Sequence, residues 1–562
     1  MDAKPLSERV RAKPRPAALW VTGLVILLAV EFGSVAGGVL EIGEVAASTG
    51  GIAAEAVADA LASGGVARGG ALGFLTIGAL SVGWLFTVLT ARPFVGGYLK
   101  NSSVRTRFTV DVLTAAAALS AFGAVVVWLG AFEFLRGVGE VARLVIERAT
   151  TVPTLTGRET IPNEGYQTPD GTWHGTFLGL SPATAWALRV TVVFVYAALW
   201  VVWIGLGYRW FRRYYRRADW TPRDDVIQRL RYHRWGQFGF TIVFVFLTLA
   251  VFASSLGTAP ADQNLYEPFS HSIQYYDESA EAVETILVGD ANLDSRSVGY
   301  EAENVGPLSY DAYDRFHPFG TLPDGKDLFT FLVHGARVSL SVGIVSVLIG
   351  GTLATVFSLV SAYYRGVADL LLVITGDTIM GIPRLLLLIL FTVLFADTWL
   401  GSLYNGGVLL AVVLAATGWP YLWRAFRGPM LQVSEREWVD AARSYGQSPS
   451  RIMQLHMLPY LVGYLLIYCS MVLGGVILAI AGLSFLGLGI TAPTPEWGRA
   501  VDLGREYVAT TSWHISLIPG VMVTLVVMGF NAMGDALRDA VDPKSDDGVS
   551  SSAETSARGG GV

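Results

Sequence analysis

"EWVDAARSYGQSPSRIMQLHMLPY", residues 437–460, is a charged, soluble-looking stretch set between two long apolar runs, about 407–426 and 461–482. Spacing by three and four puts Trp438, Ala441, Ala442 and Tyr445 on one helical face. The preceding "SERE" (434–437) sets Glu437 three residues after Ser434. That is the pattern of a capping box, in which hydroxyl and carboxylate each serve the other residue's backbone amide. Gly446 is placed to close the helix in the left-handed conformation. Ser448 and Pro449 restart a helix, because Pro suits a first turn, and Pro459 marks the start of the next apolar run. The expected product is two short helices at an angle, with an alanine pair that lets another surface approach closely. A helix lying on lipid is disfavoured, since the apolar face is narrow and alanine-rich rather than Leu- or Phe-rich.

Composition supplies the setting. The chain has 562 residues, 52% of them hydrophobic and only 15% charged, with a mean hydropathy of +0.48. Soluble domains carry about a quarter charged residues, so this is a membrane protein. At about 20 residues per crossing, ten runs qualify: about 17–39, 71–91, 108–131, 183–206, 238–257, 338–362, 371–396, 407–426, 461–482 and 514–534. The fold class is therefore all-α and polytopic. Arg9, Arg11, Lys13 and Arg15 precede the first run, and no convincing small-residue cleavage site follows it, so it reads as a retained anchor. Cys469 is the single cysteine, which excludes a disulfide within the chain. A net charge of −6, lysine only at positions 4, 13, 100, 326 and 544, and a tail rich in Asp and Ser suggest a salt-adapted organism. The tail, 545–562, is expected to be disordered.

Basic residues concentrate in cytoplasmic loops. Residues 208–234 hold nine arginines, and the 91–107 loop has Arg92, Lys100, Arg105 and Arg107 without an acid. By contrast, 258–330 has fourteen Asp and Glu against Arg296, Arg315 and Lys326, which fits an external segment. Counting from these anchors puts both termini and the 427–460 loop on the cytoplasmic side of the cell membrane. The expected divisions are a four-helix membrane extension (1–207), a basic cytoplasmic linker (208–237), a six-helix domain (238–544) with an acidic external insert (258–335), and the tail. One helix, "DESAEAVETILV" (277–288), is expected in the insert.

Catalytic patterns are missing from the sequence. "PDGKD" lacks the glycine spacing and Ser/Thr of a phosphate loop, the seven histidines are scattered, and no G-x-S-x-G elbow occurs. Asp377 and Glu31 are acids at membrane depth, where charge is expensive. Asp377 either lines a path or bonds to a neighbouring helix, the latter favoured, and Glu31 has no assigned role. Gly381 and Pro383 imply a kink beside Asp377. In "DANLDSRSVGYE" (290–301), Asp290, Asn292, Asp294 and Glu301 fall at positions 1, 3, 5 and 12 of a calcium loop, with Ser295 in place of its glycine.

"DAARSYG", nine residues, then "HMLP" resembles the conserved loop of ABC-importer permeases that follows a Glu-Ala-Ala pattern. The resemblance implies a coupling helix docking on a cytoplasmic ATPase, with Asp440, Ala441, Ala442, Gly446, Leu458 and Pro459 at motif positions and Glu437 beside them. Asp440 stands where the family usually has Glu. Residues 317–343, 482–498 and 530–544 are similar to the second permease of dipeptide, oligopeptide and nickel importers, although Leu322 replaces a common Asp. The likeness covers about 228–544 and implies the type I importer fold in the last six helices. It implies transport of dipeptides, oligopeptides or related small solutes, with nickel or another non-peptide solute as the alternative. Implied partners are a second permease, ATPase subunits that use ATP, an extracellular solute-binding protein and membrane lipid, with no nucleic acid and no cofactor on this chain. A membrane scaffold with a permease-like core has no need of the glycine-closed loop. A secondary transporter needs ionisable groups deep in several helices.

Overall fold

A backbone inside hydrocarbon must satisfy its own hydrogen bonds, so long apolar runs become helices. In the computed structural model, which describes residues 6–39, 42, 154–216 and 221–541, six helical stretches are long and apolar enough to cross a membrane. They are Pro182–Tyr214, Arg234–Val251, Leu328–Tyr364, Trp399–Ser434, Pro449–Phe485 and His514–Val541. Two bent pairs raise the number to as many as eight: Leu6–Ala12 with Pro14–Val30 at 97°, and Gly366–Gly381 with Arg384–Ala396 at 89°. The protein is a multi-pass membrane protein. The expected runs 71–91 and 108–131, the 91–107 loop and the tail lie outside the described residues. Contacts divide the described residues into two compact units, one including 6–39, 154–337 and 495–541, the other including 338–494.

In the first unit, α1 (Leu6–Ala12) turns sharply into α2 (Pro14–Val30), which pairs antiparallel with α3 (Pro182–Tyr214). Trp20 and Trp203 donate their indole N–H groups to each other's carbonyls at 3.3 and 3.2 Å, and Tyr196 donates to Leu27 O at 2.8 Å. α3 continues through part of the basic linker, and α4 (Pro222–Tyr232) occupies more of it. Next comes α5 (Arg234–Val251), packed along the last helix of the chain, His514–Val541. A side-chain carbon at Gly239 would lie 2.4 Å from Met533 N, so this close crossing requires glycine. Val193, Tyr196, Phe252, Leu256, Phe329 and Val333 form one apolar core, with Leu27 and Val35 against it. The first membrane helix therefore shares a core with helices of the region carrying the resemblance.

The segment after α5 is tied to residues 154–189. Arg158 donates to the carbonyls of Ser254 (3.0 Å) and Gly257 (2.8 Å), and fully buried Arg189 donates to Ile161 O (2.9 Å) and Gly257 O (2.8 Å). Trp186 donates to Leu256 O at 2.9 Å and Asn163 to Thr258 O at 2.9 Å. Glu31, unassigned from sequence, is fully buried and accepts from the amide and hydroxyl of Thr156 at 2.8 and 2.6 Å.

The acidic segment corrects one expectation. Residues 277–288 are not a helix: β3 (Ser272–Asp277) and β4 (Ala282–Leu287) form an antiparallel hairpin in the register Tyr275 to Glu284. Val283, Thr285 and Ile286 are β-branched and favour a strand, and Asp277 fixes the turn by accepting from Ser279 N at 2.7 Å. Two shorter hairpins flank it, β1 (Tyr166–Gln167) with β2 (Trp173–His174), and β5 (Ser309–Tyr310) with β6 (Phe316–His317). Helix α6 (Val288–Asp294) follows β4.

Helix α7 spans Leu328–Tyr364, and Asp327 caps its start by accepting from Thr330 N at 2.6 Å. In the second unit, α8 (Gly366–Gly381) and α9 (Arg384–Ala396) meet at the break beside Pro383 that Gly381 and Pro383 foretell. Helix α10 (Gly407–Ser434) leads to α11 (Glu437–Ser444), α12 (Pro449–Ile452) and α13 (Leu458–Phe485). Val342, Leu388, Leu410, Leu414, Ile480 and Leu483 belong to one core of this unit.

Candidate functional site

The 427–460 loop is mounted on a second core of the same unit. Val439 and Ala442 of α11 are inserted among Leu359 and Ala362 of α7, Phe426 and Met430 of α10, and Ile452, Met453, Met457 and Leu461. Glu437, Trp438, Asp440, Ala441 and Tyr445 remain exposed, Tyr445 at 88%. A helix of eight residues is too short to be stable alone, so these two buried side chains hold it.

Two expectations are corrected here. Ser434 does not cap α11: it is the last residue of α10, its hydroxyl donates to Leu431 O at 2.7 Å and accepts from Arg365 at 3.0 Å, and Arg436 is the N-cap without a side-chain bond. Helix α10 simply runs about two turns further than its apolar stretch. The second correction concerns Ala442, which is 5% exposed and faces inward with Val439, three residues before it. The outward face is Trp438, Ala441 and Tyr445.

The closing turn is as expected. Gly446 sits at φ +73, its amide donates to Arg443 O at 2.9 Å, and Gln447 N donates to Ala442 O at 3.1 Å. This is a Schellman ending. Nothing lies within 4 Å of the place a side chain at Gly446 would occupy, so the surface there is open. Pro449 opens α12 at its first turn, a π-turn over Met453–Met457 carries the chain on, and α13 starts at Leu458 with Pro459 in its first turn. Leu458 packs against the core while Pro459 is exposed.

Aromatic and ionic contacts tighten the mount. Trp438 stacks on Tyr460 with centroids 5.6 Å apart, and Arg443 lies over Tyr363 at 4.9 Å while reaching Asp440 at 3.3 Å. Arg365, at φ +53 in the α7–α8 turn, reaches Glu435 at 3.1 Å. Arg427 forms a two-pronged pair with Asp369, whose carboxylate also accepts from Ser361. Asp377 pairs with Arg424, both about half exposed, so the α8–α10 contact has two ionic rungs. Sequence reading missed Val439, Arg365 and the Asp369–Arg427 pair. Val439 was legible, because Val at three-residue spacing from Ala442 outweighs Ala441 in apolar area. The charged partners of Asp369 and Arg365 lie more than fifty residues away, and no local pattern signals them.

The calcium-loop residues are not brought together. Residues 288–294 are helical, Asn292 Oδ1 accepts from Arg315 at 2.7 Å, Asp294 accepts from Tyr313 at 2.5 Å, and Asp290 and Glu301 are exposed on separate elements. No group of three or more metal-ligating side chains occurs among the described residues. The acidic segment instead encloses an ionic cluster. His317 bonds Asp327 through Nδ1 at 2.9 Å and Asp311 through Nε2 at 3.3 Å, and Arg315 donates to Asp311 at 2.7 Å. Burial alone would lower the His317 pKa, but Asp311 and Asp327 outweigh it and hold it above its ordinary value. Burial opposes ionisation of Asp311 as well, yet Arg315 and His317 keep it well below the usual carboxylate range.

Residues 354–547, which include the whole 427–460 loop, match the family described as "Binding-protein-dependent transport system inner membrane component". The dipeptide transport system permease protein of Alkalihalophilus pseudofirmus is 36% identical over 228 residues, covering 41% of this chain and 72% of that protein. The glutathione transport system permease protein of Pectobacterium atrosepticum is 34% identical over 252 residues, 44% of this chain and 79% of that protein. A dipeptide permease protein from Bacillus subtilis is 34% identical over 228 residues, 41% of this chain and 69% of that protein.

Proposed function

This chain belongs to the family of binding-protein-dependent transport system inner membrane components, a permease subunit of an ABC importer, and we propose that α11 is where a separate ATPase drives it. The observation that carries this reading is the division of labour in ten residues. Val439 and Ala442 anchor α11 to the ends of α7, α10 and α13, while Glu437, Trp438, Asp440, Ala441, Tyr445 and Gly446 face outward. A push on the outer face reaches the membrane helices because the inner face is close-packed and does not yield. Leu458 and Pro459 pass the displacement into α13, and the Asp369–Arg427 and Asp377–Arg424 rungs link α10 to α8.

The solute is a dipeptide, oligopeptide or related small molecule such as glutathione, a reading supported by the names of the similar permeases. A second permease subunit, ATPase subunits and an extracellular solute-binding protein complete the importer, and ATP is used on the partner subunits. The loop and both termini face the cytoplasm, as the arginine distribution supports. Solute-stimulated ATP hydrolysis by the reconstituted importer tests the docking assignment. Ala441→Glu abolishes stimulation at normal membrane abundance if the assignment holds, and full stimulation would refute it.

A further inference from the structure

The corner between α1 and α2 meets the end of α3 through Tyr215. The Tyr215 ring is buried, its hydroxyl donates to Lys13 O at 2.5 Å and accepts from Ala17 N at 3.0 Å, and its carbonyl accepts from the Arg9 guanidinium. Arg9 Nε is buried and has no partner. Two groups of cations far apart in sequence are thereby drawn to one end of the α2–α3 pair. Over residues 6–17 and 205–216 they are Arg9, Arg11, Lys13, Arg15, Arg209, Arg212, Arg213 and Arg216, against the single acid Glu8. Asp224 engages Arg216 at 2.8 Å and lies 3.6 Å from Arg212. Arg11, Lys13, Arg15, Arg209 and Arg213 are exposed.

What surrounds the patch identifies its ligand. Trp20 and Trp203 lie on the membrane side of these cations, and Tyr208 and Trp210 lie level with the first of the α3 arginines, the position of an interfacial aromatic belt. Farther along α2 and α3, Val25, Ile26, Val195 and Leu199 are exposed, a lipid-facing composition. Helix α1 leaves the α2 axis at 97°, so with α2 spanning the bilayer α1 lies along its surface. The N-terminus of α2, whose cap residue Lys13 makes no side-chain bond, adds positive dipole potential at the same place.

We propose that the α1–α2 corner and the end of α3 form a binding site for the phosphate headgroups of anionic phospholipids. Arg9, Arg11, Lys13, Arg209 and Arg213 surround the headgroup, the belt sets its depth, and α2 and α3 take the acyl chains. The extension then anchors the importer to acidic lipid at one membrane face.

The test uses the full-length chain in its importer, reconstituted in bilayers that mix phosphatidylcholine with a minority of phosphatidylglycerol. A photoactivatable phosphatidylglycerol is cross-linked to the wild-type protein and the labelled peptides are mapped. Labelling of peptides within 6–16 and 205–216 several-fold above the protein average, falling steeply with added salt, supports the site. Labelling there no higher than average overturns it. In a parallel arm, a variant with Arg11→Gln, Lys13→Gln, Arg209→Gln and Arg213→Gln retains phosphatidylglycerol at its bulk proportion after purification, whereas the wild type enriches it. Equal enrichment in both overturns the proposal. Inorganic phosphate that displaces the lipid at millimolar concentration would identify a soluble anion as the ligand instead. Loss of ATPase subunits from the variant with lipid enrichment intact would make the patch a protein dock, which also overturns the proposal.

Discussion

Ala441→Glu and Ala442→Glu place the same side chain on adjacent residues of α11, and the structure separates their outcomes. Burial of Val439 and Ala442 contributes about 3 kcal/mol to holding α11 in place, from about 0.8 kcal/mol per buried methylene-sized group plus packing. Glu at 442 brings a carboxyl into the cluster of Leu359, Phe426 and Met457 without a partner, which costs about 3 kcal/mol or more even when neutral. That cost matches the anchoring term, so Ala442→Glu frees α11 from its mount. At 441 the side chain is exposed. There the helix-propensity loss and repulsion from Glu437 four residues earlier together cost about 0.5–1 kcal/mol. Both variants lose solute-stimulated ATP hydrolysis, for different reasons that hydrogen–deuterium exchange distinguishes. The 437–446 peptide exchanges as slowly as wild type in Ala441→Glu and many times faster in Ala442→Glu. Full ATPase stimulation in Ala441→Glu, or unchanged exchange in Ala442→Glu, refutes the assignment of faces.

Further outcomes follow from the same geometry. Gly446→Val costs about 1–2 kcal/mol through its left-handed backbone alone, because the space around it is open; Gly446→Asn recovers most of the lost stimulation, and failure of Asn to rescue would mean the position acts otherwise. Arg189→Met removes both bonds from a fully buried guanidinium and costs about 3 kcal/mol; it lowers the thermal midpoint of the purified importer and speeds exchange over 254–259, and an unchanged midpoint would show the clamp to be dispensable. Charged His317 stabilises the acidic segment fully below its ordinary pKa, and that contribution fades as pH rises through its raised value. Asp311, being lowered, contributes above the ordinary carboxylate range and is lost only as pH falls through its depressed value. Exchange over 305–327, corrected for the intrinsic rate, therefore rises in moderately alkaline buffer before it rises in mild acid, and the reverse order contradicts the cluster. Asp377→Asn breaks a half-exposed pair worth about 0–1 kcal/mol, so membrane abundance stays normal, and a collapse in abundance would make the pair structural.

The parts of this fold that the sequence announced are those set by local chemistry. Gly446 was legible because a helix must end in a conformation that only glycine adopts freely, and the break at Pro383 because proline removes a donor. Residues 277–284 misled because their acids and alanines resemble a helix, while the hairpin is decided by β-branched residues further on and by a turn at Asp277. Ser434 misled because its pattern fits a cap, while α10 extends past its apolar stretch to absorb it. The inward turn of Ala442 depends on Leu359, Phe426 and Met457, which no local spacing reveals. Residues 154–189 gave no sign of gripping 254–259, because Arg158 and Arg189 bind backbone carbonyls that every sequence possesses.

The docking surface is tested most directly by a photo-crosslinking side chain at position 445, which is 88% exposed at the end of α11. In the assembled importer, illumination should yield a covalent adduct between this chain and the ATPase subunit, and the same probe at Tyr310 in the acidic segment should not. An intact, hydrolysing importer that gives no ATPase adduct from position 445, or gives one from position 310, contradicts the account.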